Sequence, residues 1–184
     1  MASDRLERER LFDALWDEHR RALHAYFLGR TGDRELALDL LQELFLRVWR
    51  SLPNLAGLPP DRRRFWLFSV ARNLVTDSYR ARSVRSATEV VLDPRLEPPD
   101  QASVEPEAVL VDQDQLAALD RAIQRLPDDL RVVLVLHVLG DRSSADIGEM
   151  LGRPAGTVRY QLAMARQRLA IELGLVETGG QVSR

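Results

Sequence analysis

Residues 143–173 read SSADIGEMLGRPAGTVRYQLAMARQRLAIEL, and three local signals divide them. Ser143 or Ser144 caps a short helix, and Ser143 with Asp146 approximates a capping box. Gly152, Pro154 and Gly156 mark a tight turn. Thr157 is placed to cap a longer helix running to about Leu173, with Gly174 as its C-cap. Ile147, Leu151, Val158 and Leu162 supply the apolar contacts between the two helices, which leaves Arg159, Arg166 and Arg168 for phosphates or base edges. Short helix, turn and Arg-bearing helix form a helix-turn-helix outline. A plain αα-hairpin with solvated arginines has the same outline.

Upstream of this stretch, Leu116, Leu119, Ile123 and Leu126 recur on one helical face. Pro127 and Asp128 start another helix, carrying Leu130, Val133, Leu134 and His137 and ending at Gly140. Residues 87–115 change character: Pro94, Pro98, Pro99 and Pro106 sit among acids with few large apolar groups. The segment reads as an extended linker that cannot build a core.

Three further helices are expected before it. The first spans Leu11 to Leu28, followed by Gly29 and Gly32. Asp33 caps the second, Arg34 to Ser51, whose Leu36, Leu40, Leu41, Leu44, Val48 and Leu52 form one stripe. Pro53, Gly57, Pro59 and Pro60 predict a loop. A third helix runs from Asp61 to about Arg82, with Phe65, Phe68, Val70, Leu74, Val75 and Tyr79 as its apolar set. The pattern predicts an all-α fold of two small helical domains joined by a flexible acidic linker.

Composition narrows the chemistry. The 184-residue chain has no cysteine and three histidines, so thiolate sites are excluded and a histidine metal site is not expected. No paired carboxylates, Ser/His/Asp set or glycine-rich phosphate loop presents itself, so the reading is of a non-catalytic protein without cofactor. MASDRLERER lacks a signal-peptide h-region, and the longest apolar run, Val132 to Leu136, is far short of a membrane span. A cytoplasmic protein without membrane insertion is expected.

All 26 basic residues are arginine. Codon usage in a GC-rich genome accounts for such a bias, and guanidinium forks also suit phosphate and base edges. The net charge of −2 conceals a strong segregation. It is −2 over residues 1–61, +6 over 62–86, −8 over 87–120 and +2 over 121–184.

Three stretches carry a family likeness. AIQRLPDDLRVVLVLHVLGDRSSADIGEMLGRPAGTVRYQLAMARQRL (122–169) resembles region 4 of small sigma factors. DLLQELFLRVWRSL (39–52) resembles their region 2 helix, and WLFSVARNLVTDSYRAR (66–82) the promoter-melting helix after it. The chain is thus similar to the extracytoplasmic-function (ECF) group of the sigma-70 family, the bacterial subunits that direct RNA polymerase to promoters.

The resemblance implies a region 2 domain at 8–86, a linker at 87–115 and a region 4 domain at 116–175. It implies that Asp39, Gln42, Glu43 and Trp49 dock on the β′ clamp helices of the polymerase core, with region 4 meeting the β flap. Arg62, Arg63, Arg64, Trp66, Arg72, Asn73, Asp77 and Arg80 would face the minus-10 element, where arginines interleaved with aromatics suit single-stranded DNA. Arg153, Thr157, Arg159, Tyr160, Gln161, Met164 and Arg166 would face duplex DNA at the minus-35 element. An anti-sigma factor is an expected partner. The acidic linker would imitate RNA in the polymerase's basic exit channel, although a solvated tether fits its composition equally.

Two departures stand out. The recognition helix of such proteins commonly reads G-T-V-x-S-R-L-x-R-A-R, whereas here Tyr160, Gln161 and Met164 replace Ser, Arg and Arg. The loop before the basic helix is NLAGLPPDRRR (54–64), stiffened by two prolines. Two other readings remain at this point: a stand-alone helix-turn-helix regulator, and a sigma-like adaptor that sequesters an anti-sigma factor.

Overall fold

A computed structural model describes residues 2–88 and 113–175, all of whose regular structure is helical. The helices are α1 (Ala2–Thr31), α2 (Arg34–Ala56), α3 (Pro60–Thr88), α4 (Gln113–Gln124), α5 (Asp128–Val138), α6 (Ser144–Leu151) and α7 (Ala155–Glu172). Most of the expected linker, and the GGQVSR tail, lie outside the described residues.

Helices α1–α3 form an N-terminal unit. The α1–α2 corner is built locally: Gly32 adopts φ 67°, which a side chain would resist, and Asp33 accepts a hydrogen bond from the Leu36 amide at 3.0 Å. That amide, assisted by Arg82, holds the Asp33 carboxyl below its usual pKa. The far end of the α1–α2 contact is aromatic. Phe12 meets Phe45 and Trp49 edge-on at 5.9 and 5.4 Å, and Trp16 meets Phe45 at 4.6 Å.

α2 runs to Ala56, past the loop that Pro53 had predicted. Proline removes one backbone hydrogen bond and crowds the carbonyl four residues earlier. The last turn persists because Leu52 and Leu55, on either side of Pro53, are both buried in the core. Pro60 then opens α3 at a position where its missing N–H costs nothing.

Helices α4–α7 form a C-terminal unit. In α5, six consecutive residues, Arg131 to Leu136, are buried. A surface helix buries one stripe, so a run of this kind means that α5 is covered on several sides. Val132, Val133, Val135 and Leu136 belong to one core that continues into α1–α3, while Leu134 packs with Leu126 and Ala165 beneath α7. The two units are thus joined by a seam between α1 and α5.

The seam requires a glycine. A Cβ on Gly29 would lie 2.6 Å from the Val132 Cα. Beside it Arg131, only 8% exposed, donates to the Gly29 carbonyl oxygen at 3.0 Å, the Gln124 carbonyl at 2.9 Å and the Asp128 carboxylate at 2.7 Å. A buried guanidinium is tolerable when its donors are satisfied in this way.

The α4 stripe is a correction. Leu126 is buried, but Leu116 and Leu119 are exposed, because the described residues cover α4 only near its C-terminal end. Periodicity identifies a stripe without showing what covers it.

Candidate nucleic-acid and polymerase interfaces

Three helical faces carry the predicted residues. On α2, Asp39, Gln42 and Trp49 are exposed and Glu43 is half-buried, paired with Arg47 at 2.8 Å. At about 100° per residue these four share the outward side, opposite the Leu41–Phe45–Val48 core stripe. Leu38 and Leu46 are exposed beside them and were missed by the motif reading. The signal was available, since neither falls on the buried stripe. One flank of Trp49 rests on Phe12, with the Arg8 guanidinium carbon 5.9 Å from its ring centroid.

On α3 the eight predicted residues divide. Arg62, Arg72, Asn73 and Arg80 are exposed and fall within about 100° of one another around the helix axis. Phe65 lies in the same sector and is 68% exposed. Sequence left Phe65 and Phe68 open between core and DNA face; Phe68 is the one in the core. Asp77 is exposed at the edge of this sector, while Trp66 is half-buried against the core.

Arg63 points elsewhere. Its Nε and one terminal nitrogen each donate at 3.0 Å, to the Leu55 and Ala56 carbonyls that end α2. Its charge therefore caps a helix C-terminus. Arg64 turns to the C-terminal unit and pairs with Glu149 of α6. Tyr79, the last of the α3 apolar set, is exposed and donates its hydroxyl to the Arg30 carbonyl.

The helix-turn-helix is assembled by α6 and α7. Ser143 and Asp146 form the complete capping box, and the Ser143 hydroxyl holds the Asp146 carboxyl below its usual pKa. Gly152 ends α6 at φ 68°, and a Cβ on Gly148 would sit 2.6 Å from the Arg153 carbonyl oxygen. Thr157 does not cap α7. The helix begins at Ala155 after Pro154, whose carbonyl accepts from the Val158 amide at 3.2 Å, so Thr157 is its third residue.

Val158, Leu162 and Ala165 bury one side of α7. The opposite stripe carries Thr157, Tyr160, Met164 and Gln167, the last missed by the motif reading; Tyr160 is 66% exposed. Arg159 and Arg166 lie together on one flank, with Gln161 and Arg168 on the other. Arg153 sits at the turn, donating to Gln161 at 3.1 Å and to Asp129 of α5 at 2.7 Å. That donation holds the Asp129 carboxyl below its usual range. Among the described residues no group of three or more His, Asp or Glu could hold a metal ion, and no helix is long and apolar enough to cross a membrane.

Two family profiles match this architecture: sigma-70 region 2 over residues 15–85 and sigma-70 region 4 over residues 116–169. The ECF sigma factor SigL of Mycobacterium tuberculosis is 34% identical over 171 residues, which are 89% of either chain. The chain belongs to the ECF group of the sigma-70 family. Its function is that of a sigma factor, promoter recognition with RNA polymerase. The region 2 match accounts for the N-terminal half, which a stand-alone helix-turn-helix regulator leaves without purpose.

The fold is shared with solved sigma factors. RpoE from Bartonella quintana, in complex with the anti-sigma factor NepR, aligns with a TM-score of 0.59 at 22% identity. The alignment covers 92% of this chain and 99% of that one. CnrH, in complex with the cytosolic domain of CnrY, gives 0.56 at 23% identity, over 91% of this chain and 90% of that one.

Proposed function

We propose that this sigma factor divides its work among the three faces. The outward side of α2, with Asp39, Gln42, Glu43 and Trp49 and with Leu38 and Leu46 between them, docks on the β′ clamp helices. Exposed leucines give such a contact an apolar centre, and the polar groups fix its orientation. The α3 face takes the unpaired strand of the minus-10 element: Arg62, Arg72 and Arg80 meet phosphates, Asn73 and Asp77 meet base edges, and Phe65 stacks on a base. The observation that carries this reading is Phe65, a large aromatic held in solvent within an arginine face.

The C-terminal unit reads the minus-35 element through α7 and meets the β flap. Its outward stripe carries Tyr160, Met164 and Gln167, so base recognition rests on amide and apolar contacts, while Arg159 and Arg166 serve phosphates. The domains follow the boundaries 8–86 and 116–175, and the acidic 87–115 segment lies in the RNA exit channel. The protein works in the cytoplasm without catalysis of its own, and an anti-sigma factor is its regulator, as for the relatives solved in such complexes.

Run-off transcription with core polymerase, this chain and a promoter library tests the reading. Promoter-dependent transcripts are expected. Tight binding of an anti-sigma protein with no transcript from any promoter would instead make the chain an adaptor.

A further inference from the structure

Arg153 and Gln161 belong to the residues expected at the minus-35 element, and they are joined to each other. Arg153 lies in the turn of the helix-turn-helix with most of its side chain covered. One terminal nitrogen donates to the Gln161 Oε1 at 3.1 Å, and the other to the Asp129 carboxylate at 2.7 Å. All three residues belong to the C-terminal unit, on α5, the turn and α7.

The order of this relay fixes the polarity of the glutamine. A guanidinium has five N–H donors and no acceptor, so only the oxygen of a carboxamide can face it. A flipped amide would set N–H against N–H, so the Gln161 amino group is left on the far side from Arg153. Asp129, kept ionised by its hydrogen bond from Arg153, anchors the guanidinium from the other end. Gln161 lies about 40° around the helix axis from Thr157, at the edge of the outward stripe of α7.

A glutamine with both ends of its amide available reads adenine, accepting from N6 and donating to N7. Here the accepting end is occupied by Arg153. An adenine amino group approaching the oxygen's second lone pair would also meet the positive guanidinium. Guanine presents two acceptors in the same groove, O6 and N7, which suit the amino group and the cation alike. We propose that the Asp129–Arg153–Gln161 relay sets Gln161 as a hydrogen-bond donor that selects guanine and rejects adenine at one base pair of the minus-35 element. Gln161 is the reader, and Arg153 and Asp129 are positioning residues. This rests on the reading that α7 enters the major groove of that element. The usual partner of a glutamine is thus changed by a residue eight positions earlier in the chain.

Selection from duplexes randomised across the minus-35 element, with the holoenzyme of core polymerase and this chain, tests the relay. Gln161→Ala marks the base position that Gln161 reads, and guanine should exceed adenine there about tenfold with the wild-type chain. Arg153→Met frees Oε1, so adenine should rise to parity at that position while the other positions and the salt slope stay as they were. Asp129→Ala, which loosens the arginine without altering the turn, should shift the same position in the same direction by less. Gln161→Lys added to Arg153→Met should restore guanine, because an ammonium has donors only.

Adenine selected by the wild-type chain at the marked position would overturn the relay. So would a guanine preference that survives Gln161→Ala, which would make Arg153 the reader. An Arg153→Met chain that keeps the wild-type preference but loses about one unit of salt slope would overturn it too, since Arg153 would then be a phosphate contact. Selection of no minus-35 sequence at all would contradict the reading of α7, and the relay with it.

Discussion

The predicted arginines are chemically identical and do different work. Arg63 holds the end of α2, so Arg63→Ala should lower stability by about 1 kcal/mol in urea denaturation. Arg62, one residue earlier and exposed, should behave in the opposite way. Arg62→Ala leaves the midpoint unchanged and lowers the slope of log K against log salt for DNA binding by about one. The sequence run RRR does not distinguish them, because the difference lies in which carbonyls the α2 terminus presents. Arg131 is the sharpest case. Its exchange for Met would strand carbonyls of Gly29 and Gln124 and cost about 2–3 kcal/mol, read from the same denaturation curves.

Whole elements were largely legible in advance. The capping box at Ser143, the stripe of α2 and the turn at Gly152 depend on contacts within a few residues, and each is present. Ser143→Ala should accordingly destabilise the C-terminal unit by about 1 kcal/mol. The misjudged features depend on distant neighbours. Pro53 stays helical because Leu52 and Leu55 are pinned by the core, and Leu116 is exposed because no described residue covers that end of α4. Phe65 and Phe68 are three residues apart in one apolar set, and only the packing of α3 shows which is buried. On α7 the motif named Tyr160 and Met164 but passed over Gln167, which shares their stripe. Gln167→Ala should change the preferred minus-35 sequence in a binding selection while leaving the salt slope intact.

At the scale of the molecule, segregated charge predicted two units but not that they share a core. His19 reports on their junction. It is buried on α1, near Glu18, Arg142 and Arg64, and burial pushes its pKa below the ordinary value of 6.5. The neutral imidazole is the form the fold accepts. The stability this gives is present above pH 6.5 and is lost as pH falls through that value toward the depressed folded pKa. The carboxyls of Asp33, Asp129 and Asp146 add their losses only below about pH 3.8. Burial lowers His24 on the same helix in the same direction, so a thermal melt series between pH 7 and 5 should fall for the wild type and fall less for His19→Gln. In the proposed division of work, promoter opening depends above all on the exposed α3 face capturing the melted strand. The decisive measurement is permanganate footprinting of the minus-10 bubble, with Phe65→Ala and Arg72→Ala combined in one chain. With core-polymerase binding retained, thymine reactivity should be lost across the bubble. Reactivity equal to wild type would mean that the strand is held elsewhere.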